Sequence, residues 1–535
     1  MIPGVHGWIS PKPTLTVPTT GNAPIRRSAG SGTSRATLTG CLLLGAWLAL
    51  VVFTSSRHEF WRDEVRALTL ARAAGSPLQL YDVLQDDGHP ILWYLLLYLG
   101  TSVVDSPAVL PIVSILVAFA SVALFMFFAP LPLWFRCAFI FSAFPIFEYS
   151  VMARNYGISM LLLFLAARLY PMRTAHPYRL AVTLALLANT NVHSAILTCL
   201  FAFAWAWDIA AGQRKWLVPS EYSRYLPLGV LAVGVVLSLL VAMPRQGGVL
   251  APVEGGFATT TSALRDAVLR PDLTFPDLLP SWLRPKLAVL LLYGAIVGLV
   301  MRPNLFLAAL GAQTALGVFF RMVYPGWYRH QGLYLVFLVF LYWVFVESAN
   351  LRAWSGARRW VCRGGFHVSV LALVLVQLTS APRMVWADIT GARSASAEFG
   401  EYLRTSPEYR DAVIVAEPDF AMEALRYYAT NDIYLPREER FGRTVSWRGA
   451  SKRHLTLGDV LRAAQQARQQ SRKPVLIALA PVDLDVSGEQ RYLYGTTFSW
   501  TAADVQEFRR ATTLVRDFHA AEGDEHYRVF VLNAP

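Results

Sequence analysis

Long apolar runs recur along most of the chain and alternate with short polar segments. Eleven of these runs are long enough, or follow one another closely enough as hairpin halves, to predict membrane-spanning helices, each of which needs roughly 20 apolar residues for a full crossing. The predicted spans cover residues 38–55, 107–129, 137–149, 156–172, 178–189, 193–208, 226–243, 286–301, 304–320, 332–349 and 365–382. The pattern therefore predicts a polytopic α-helical membrane protein with about 11 transmembrane helices.

A further apolar segment, residues 90–104, is 15 residues long and too short to cross by the same criterion. If it does not cross, basic loops such as those at Arg136 and Arg302 fall on the side of the basic N-terminal tail, as the positive-inside rule requires. This arrangement places the N-terminus in the cytoplasm and makes residues 56–106 the first outer loop. If residues 90–104 cross, every later loop changes sides.

The chain divides into three predicted parts. Residues 1–37 are rich in Pro, Gly, Ser and Thr and have no apolar period, which predicts a disordered cytoplasmic tail. Residues 38–382 form the transmembrane module. Residues 383–535 alternate strand-like segments, such as 411–417 and 474–480, with helical ones, which predicts an extracytoplasmic α/β domain.

Composition supports this division and changes the meaning of the charge. The chain is 55% hydrophobic and 16% charged, whereas about 25% charged residues are usual in a soluble protein. The net charge of +12 separates into 28 Lys and Arg against 15 Asp and Glu up to residue 382, and 20 against 21 after it. Because the excess marks cytoplasmic loops of a membrane protein, no nucleic-acid partner is expected.

An acid pair, Asp63 and Glu64, follows the first predicted span directly. A carboxylate at a membrane surface has a pKa that its surroundings can tune for general-base catalysis. The alternative is a solvated helix start in which the acids form ion pairs with Arg62 and Arg66.

Two more segments place charges between apolar runs. Glu148 and Arg154 precede Tyr156, and the planar Arg154 guanidinium suits a phosphate. The alternative is a structural Glu148–Arg154 pair. Arg329 and His330 follow a cluster of aromatic residues, where a cation could hold an anionic headgroup or leaving phosphate, or the aromatic residues could simply anchor the chain at the membrane interface.

Two isolated histidines are further candidates. His193 lies at the outer tip of the hairpin between two predicted spans, and a lone histidine in such a place is often only a polar residue with satisfied hydrogen bonds. His89 follows Asp86 and Asp87, which are potential metal ligands without partners at a fixed spacing.

The order of these features resembles the GT-C superfamily of integral-membrane glycosyltransferases, which includes protein O-mannosyltransferases and lipid A aminoarabinose transferases. The similar features are the acid pair after the first span, residues 88–90 (Gly-His-Pro), residues 153–156 (Ala-Arg-Asn-Tyr), the His193 hairpin and Arg329 before a late span. They extend over about residues 38–350 and define the superfamily rather than a subfamily. The C-terminal part resembles no carbohydrate-binding module.

The resemblance implies transfer of a sugar from a polyprenyl-phosphate donor to a glycan, lipid or protein acceptor, at the outer face of a plasma or inner membrane and among its lipids. It makes Asp63 the general base, with Glu64 beside it. It also implies that Arg154 and Arg329 balance the negative charge of the departing polyprenyl phosphate. The remaining residues of these segments are grouped as candidate substrate-binding residues: His89, Glu148, Tyr156, His193 and His330. A divalent metal ion is left open as a cofactor, with no ligands assigned.

Two other classes of protein compete with a transferase. A transporter would show repeated halves with Gly- or Pro-broken spans in corresponding positions, and the sequence has no such repeat. A non-catalytic membrane scaffold with an outer α/β domain would have no reason to collect acids and cations in separate outer loops.

Overall fold

The computed structural model describes residues 32–85, 87–211, 223–243, 257–279, 282–348, 356–446, 451–492, 495–520 and 525–534. Most of the predicted N-terminal tail therefore lies outside the described residues. Its last part, residues 32–37, belongs to helix α1 (Gly32–Ser55), so this helix begins before the predicted span at residue 38. The extension is possible because no proline interrupts residues 32–37.

The rest of the membrane module is helical. Its helices are α2 (Arg62–Ala73), α3 (Gln79–Val83), α4 (Leu92–Val103), α5 (Val109–Phe128), α6 (Leu133–Ile140), α7 (Tyr156–Leu169), α8 (Pro177–Ala188), α9 (Val192–Ala211), α10 (Leu226–Ala242), α11 (Phe257–Leu269), α12 (Pro271–Thr274), α13 (Pro285–Val297), α14 (Pro303–Met322), α15 (Tyr328–Ser348), α16 (Ala357–Gly364) and α17 (Leu371–Thr390). Proline opens α8, α12, α13 and α14, where its missing amide hydrogen costs no helical hydrogen bond. Two π-helical turns, Phe144–Glu148 and Gly365–Val370, follow α6 and α16.

Seven of the described helical segments are long and apolar enough to cross a membrane, where the sequence predicts eleven. They are Thr37–Ser55, Val109–Phe128, Val192–Ala211, Ser223–Ala242, Pro303–Met322, Tyr328–Ser348 and Ala357–Thr390. The protein is therefore a helical membrane protein. The other four predicted spans, at 137–149, 156–172, 178–189 and 286–301, contain helices of 8, 14, 12 and 13 residues. A helix of that size extends only about 12–21 Å, less than the roughly 30 Å of a bilayer core.

Polar contacts mark one end of the helix bundle. Asp208, near the end of α9, accepts hydrogen bonds from the Tyr170 hydroxyl after α7 and from the Asn304 amide at the start of α14 (2.9 Å). Arg302 lies 3.2 Å from Asp208 and donates to Ser348 at the end of α15 (2.8 Å). We call this the Asp208 end. Helices α7, α9 and α15 therefore begin at the opposite end, which we call the loop end, and α14 runs back towards it.

The predicted first outer loop, residues 56–106, folds into α2, α3 and α4. Helix α4 packs against α2 and α5, and the Leu92 amide at its start donates to the Asn189 carbonyl (3.0 Å). Its 12 residues extend about 18 Å.

The predicted outer loop at 244–285 contains helices α11 and α12 instead of irregular chain. Helix α11 packs closely along α14, because Ala267 faces Gly317 without an intervening side chain. Arg321 at the end of α14 forms an ion pair with Asp266 (3.0 Å). This contact places α11 at the loop end of the bundle.

The C-terminal part combines helices with two β-sheets. Its helices are α18 (Ser396–Thr405), α19 (Leu425–Tyr428), α20 (Leu457–Ser471) and α21 (Ala502–Ala511). Its strands are β1 (Val413–Glu417), β2 (Ile433–Leu435), β3 (Arg440–Phe441), β4 (His454–Thr456), β5 (Val475–Leu479), β6 (Gly488–Arg491), β7 (Thr497–Trp500), β8 (Thr512–Phe518) and β9 (Tyr527–Leu532). The larger sheet has the order β3-β2-β1-β5-β9-β8, with β2, β1 and β5 parallel, and the smaller has the order β4-β7-β6.

Both faces of the larger sheet are buried at its central strands β1 and β5. Val413 and Val415 of β1 pack in one hydrophobic cluster with residues of α20, whereas Ile414 and Ala416 pack in a second cluster with residues of α18. This division follows from the alternation of side chains along a strand. A sheet buried on both faces needs apolar residues at nearly every position, which explains why the predicted strands at 411–417 and 474–480 are apolar runs.

Candidate functional site

The acid pair begins helix α2 at the loop end, but its two members have different surroundings. Glu64 is fully buried. Its carboxylate accepts hydrogen bonds from the Ala153 amide (2.6 Å), from the Trp61 amide (3.3 Å) and from His58 Nε2 (3.1 Å). These bonds cap the helix start and fasten it to the segment that precedes α7. Glu64 therefore fastens the start of α2 to its surroundings, and its carboxylate has no exposed surface.

Asp63 is the accessible member of the pair. Its side chain is 38% exposed, and Oδ2 lies 2.8 Å from Nη1 of Arg154, whose own side chain is 11% exposed. Arg62 approaches the other carboxylate oxygen at 4.0 Å. Burial by itself raises the pKa of Asp63, but the charges of Arg154, Arg62 and Arg329 outweigh this effect and hold the pKa below its usual value. Asp63 is therefore ionised at neutral pH.

Two adjacent contacts join the two loops in register. Asp63 pairs with the Arg154 side chain, and the next residue, Glu64, holds the amide of the preceding residue, Ala153. The turn that follows is also fixed, because the Asn155 amide nitrogen donates to the Thr190 carbonyl (2.9 Å) between α8 and α9. Arg154 is consequently flanked by two anchored residues, because Glu64 holds the Ala153 backbone amide and the Thr190 carbonyl holds Nδ2 of the Asn155 side chain.

Arg329 and Glu148 form the second ion pair of the site. Nε of Arg329 lies 3.7 Å from Oε2 of Glu148, and its guanidinium carbon lies 5.0 Å from the centre of the Trp61 ring. The Tyr149 hydroxyl donates to the Arg329 carbonyl (2.7 Å). The alternative Glu148–Arg154 pair is therefore wrong: each of these residues pairs with a different partner.

His193, at the start of α9, and His330, at the start of α15, meet beside these ion pairs. The rings of His193 and His330 are stacked, with centroids 4.7 Å apart and planes at 21°. Tyr156 meets His330 edge-on at 5.5 Å, and Phe319 and Phe320 enclose His193 from the other side. Four of the predicted substrate-binding segments thus converge at the loop end: those of Glu148, Tyr156, His193 and Arg329–His330.

His89 lies at the edge of this group. Its side chain is 35% exposed and its Nδ1 lies 2.9 Å from the Asp87 carbonyl. Asp87 is buried against Arg66 (2.7 Å) and accepts the Tyr94 hydroxyl, so it serves the loop itself. Asp86 falls outside the described residues. Among the described residues, no three His, Cys, Asp or Glu side chains come together as metal ligands.

A buried histidine that the sequence did not single out connects the site to the end of α17. Protonated His58 donates to Asp388 from Nδ1 (2.9 Å) and to Glu64 from Nε2 (3.1 Å). Burial alone would lower the pKa of His58, but the two carboxylates raise it to about 9. Arg393 completes the group with an ion pair to Asp388 (2.8 Å). His58 therefore carries a positive charge at neutral pH.

The C-terminal domain packs directly onto helix α2 and the residues before it. The Arg62 amide donates to Oε1 of Glu525 (2.8 Å), and the Phe60 amide donates to the Tyr428 hydroxyl (2.6 Å). Arg66 donates to the Val445 carbonyl (3.0 Å) and pairs with a carboxylate of the same domain. Arg62 and Arg66, which the alternative interpretation pairs with the acid pair, therefore both contact the C-terminal domain. Only Arg62 also approaches Asp63, at 4.0 Å.

In chemical terms the site offers one exposed carboxylate among fixed cations. Asp63 can accept a proton, and Arg154 and Arg329 can neutralise an anion close to it. In comparisons with protein-family models and with curated proteins, nothing matches this chain. The interpretation of the site therefore depends on its own geometry and on the resemblance in residue order.

Proposed function

We propose that this protein is a membrane glycosyltransferase of the GT-C type, which transfers a sugar from a polyprenyl-phosphate donor to a hydroxyl-bearing acceptor. The observation that carries the proposal is the position of Asp63: a partly exposed, ionised carboxylate 2.8 Å from Arg154, at the loop end of a helical membrane protein.

The proposed reaction is a single displacement. The acceptor oxygen attacks the anomeric carbon, the bond from that carbon to the phosphate oxygen breaks, and its electron pair leaves with the polyprenyl phosphate. Asp63 takes the proton of the acceptor hydroxyl, and Arg154 and Arg329 stabilise the charge of the departing phosphate. Glu64 and His58 keep the two loops in register and take no part in bond changes.

Donor binding also activates the base in this mechanism. In the free protein Arg154 is engaged by Asp63, and this contact helps to hold the carboxylate pKa down. A lipid phosphate beside Arg154 competes for the same guanidinium, which raises the proton affinity of Asp63. The carboxylate thus becomes a better base when the donor is present.

The proposal includes eleven crossings, with the N-terminus in the cytoplasm and the C-terminal domain outside. Arg154, His193 and Arg329 all meet near Asp63 at the loop end, whereas a chain that crosses only at the seven long helices would have Arg154 and Asp63 on opposite sides. The contact at 2.8 Å supports an additional crossing by α6 and its π-helical turn. Contacts of Tyr170 at the Asp208 end support crossings by α7 and α8 in the same way.

Cysteine labelling distinguishes eleven crossings from seven. Thr260 on α11 is exposed and lies outside with eleven crossings but inside with seven. In a cysteine-free background, we expect Thr260→Cys to react with a membrane-impermeant maleimide in intact cells. Asp105→Cys is the matched outer control, and Thr174→Cys near the Asp208 end should react only after permeabilisation. Protection of Thr260→Cys would contradict the eleven-span arrangement.

Binding of the lipid phosphate tests the function before any acceptor is known. The double variant Glu148→Gln, Arg329→Gln removes both charges of one ion pair, so that no buried carboxylate is left unpaired. We expect it to bind undecaprenyl monophosphate about tenfold or more weakly in nanodiscs, since a charge-assisted hydrogen bond contributes about 1.5–3 kcal/mol.

Two comparisons control this measurement. Arg321→Gln removes an exposed arginine in the last turn of α14, where it pairs with Asp266. This variant should leave the affinity for undecaprenyl monophosphate unchanged. Undecaprenol, which lacks the phosphate, should bind the original protein and the double variant equally weakly. Equal affinity of both proteins for the monophosphate would contradict the role of Arg329.

A further inference from the structure

His193 is a buried side chain whose polar atoms are not used. Only 7% of the residue is exposed, and neither ring nitrogen has a hydrogen-bond partner among the described residues. The ring is instead held by aromatic contacts with His330, Phe319 and Phe320. A buried polar group without a partner is destabilising, so a phenylalanine would be the more stable choice at this position.

Other unused polar atoms lie around the same ion pairs. Within the described part of the chain, Oδ1 of Asn155 and Nε1 of Trp61 are also buried without a hydrogen bond. Oε2 of Glu148 has no hydrogen bond either, and its ion-pair contact with Arg329 is a long 3.7 Å. Asn155 follows Arg154 directly, and Trp61 lies beneath Arg329. Unpaired buried groups are rare in proteins, and several in one place indicate a missing ligand that both donates and accepts hydrogen bonds.

The chemistry of this group selects among ligands. An anion would be drawn to Arg154 and Arg329 and would leave the histidine ring nitrogens and the Asn155 oxygen unused. A cation would be repelled by the same arginines. A neutral ring with several hydroxyl groups fits, since each hydroxyl donates and accepts, and its C–H face packs against aromatic rings such as those of Tyr156 and His330.

We propose that His193, stacked on His330, holds the transferred sugar ring of the donor and forms a hydrogen bond to one of its hydroxyl groups. This inference rests on the proposed function, because it divides the donor between two parts of one site. The cations bind the phosphate, and the histidine pair selects the sugar. His193 is thus a specificity-determining residue and Asp63 remains the base.

The experiment compares the affinities of purified full-length protein in nanodiscs for lipid phosphates with and without a sugar. The probes are undecaprenyl monophosphate and a panel of undecaprenyl-phosphate hexoses and pentoses that differ in one hydroxyl configuration. For the original protein, we expect at least one sugar-bearing lipid to bind about tenfold more tightly than the monophosphate, which corresponds to about 1.4 kcal/mol. In His193→Phe we expect this ratio to fall to about one, with the monophosphate affinity unchanged.

The variants also separate binding from structural support. Phenylalanine keeps the aromatic contacts and removes two unpaired nitrogens, so His193→Phe should be at least as resistant to thermal unfolding as the original protein. His193→Asn retains a donor and an acceptor and should recover part of the sugar preference. His367→Phe replaces an exposed histidine in the π-helical turn after α16 and is the matched control. It should leave the ratio of sugar-lipid affinity to monophosphate affinity unchanged.

Each failure has its own meaning. If neither lipid binds the original protein, the proposed function is overturned, and this inference with it. If the monophosphate binds but no sugar adds affinity, the inference alone is overturned. A sugar preference that persists in His193→Phe, or a loss of thermal stability in that variant, would also overturn it.

Discussion

Asp63→Asn should reduce sugar transfer by about 10³-fold, since a general base typically contributes 10²–10⁴-fold. Asparagine has nearly the same shape and its carbonyl oxygen can still accept a hydrogen bond from Arg154, but it takes no proton from an acceptor hydroxyl. The measurement is release of polyprenyl phosphate from a radiolabelled polyprenyl-phosphate sugar by purified protein with a membrane extract as the source of acceptor.

The same variant should bind the lipid phosphate more tightly, because Arg154 no longer has a competing carboxylate. This opposite effect on binding and on transfer separates loss of the base from loss of folding. Asp105→Asn is the matched control in the same loop: its carboxylate is 95% exposed and pairs with Arg72, so activity should be unchanged. Full transfer activity in folded Asp63→Asn would remove Asp63 from the reaction.

His58→Gln should cause the largest loss of stability among single substitutions at this site. Glutamine carries no charge, so Glu64 would stay buried without its cationic partner and Asp388 would keep only Arg393. Breaking a buried ion pair on one side costs about 3–5 kcal/mol. The free energy of unfolding in mixed micelles, followed by tryptophan fluorescence, measures the loss. His454→Gln, at an exposed position in β4, is the control and should differ little from the original protein.

The pH dependence identifies His58 as the cause. Its pKa in the folded protein is about 9, above the unfolded value of 6.5. The stabilisation is therefore complete below pH 6.5 and is lost as the pH rises towards 9, by about 3 kcal/mol in all. His58→Gln should lack this decline between pH 6.5 and 9. An equal decline in the variant would assign it to other groups.

Apolar periodicity predicted where helices lie better than it predicted how many are long. The runs at 178–189 and 286–301 coincide closely with α8 and α13, which the structure ends after 12 and 13 residues. Composition marks an apolar segment, but a helix length depends on where the backbone leaves the helical conformation. In the run at 137–149 the helix ends at Ile140 and a π-helical turn follows. Pro145 lies in that turn and cannot donate the α-helical hydrogen bond back to Phe141, so the sequence does contain a signal for this break.

The candidate residues were predictable one by one, but their partners were not. Asp63, Arg154 and Arg329 stand out because each is a charge between apolar runs. Proximity in sequence suggested an ion pair between Glu148 and Arg154. In the folded chain Arg154 forms an ion pair with Asp63, and Glu148 forms one with Arg329. His58 was not selected at all, since its partner Asp388 is 330 residues away and only the folded chain brings them together.

The contact between helix α2 and the C-terminal domain can form only after the whole chain between them has been translated. Arg62 and Glu525 are separated by 463 residues, which a ribosome needs roughly 25–90 seconds to translate at about 5–20 residues per second. During that interval the segment with Asp63 is already synthesised, but Arg62 lacks its contact with Glu525 and Arg66 lacks its contact with Glu423, although Asp87 is already available to Arg66. Assembly of this region therefore waits for the far end of the chain, and a truncated product would leave the surface of α2 that contacts the C-terminal domain uncovered.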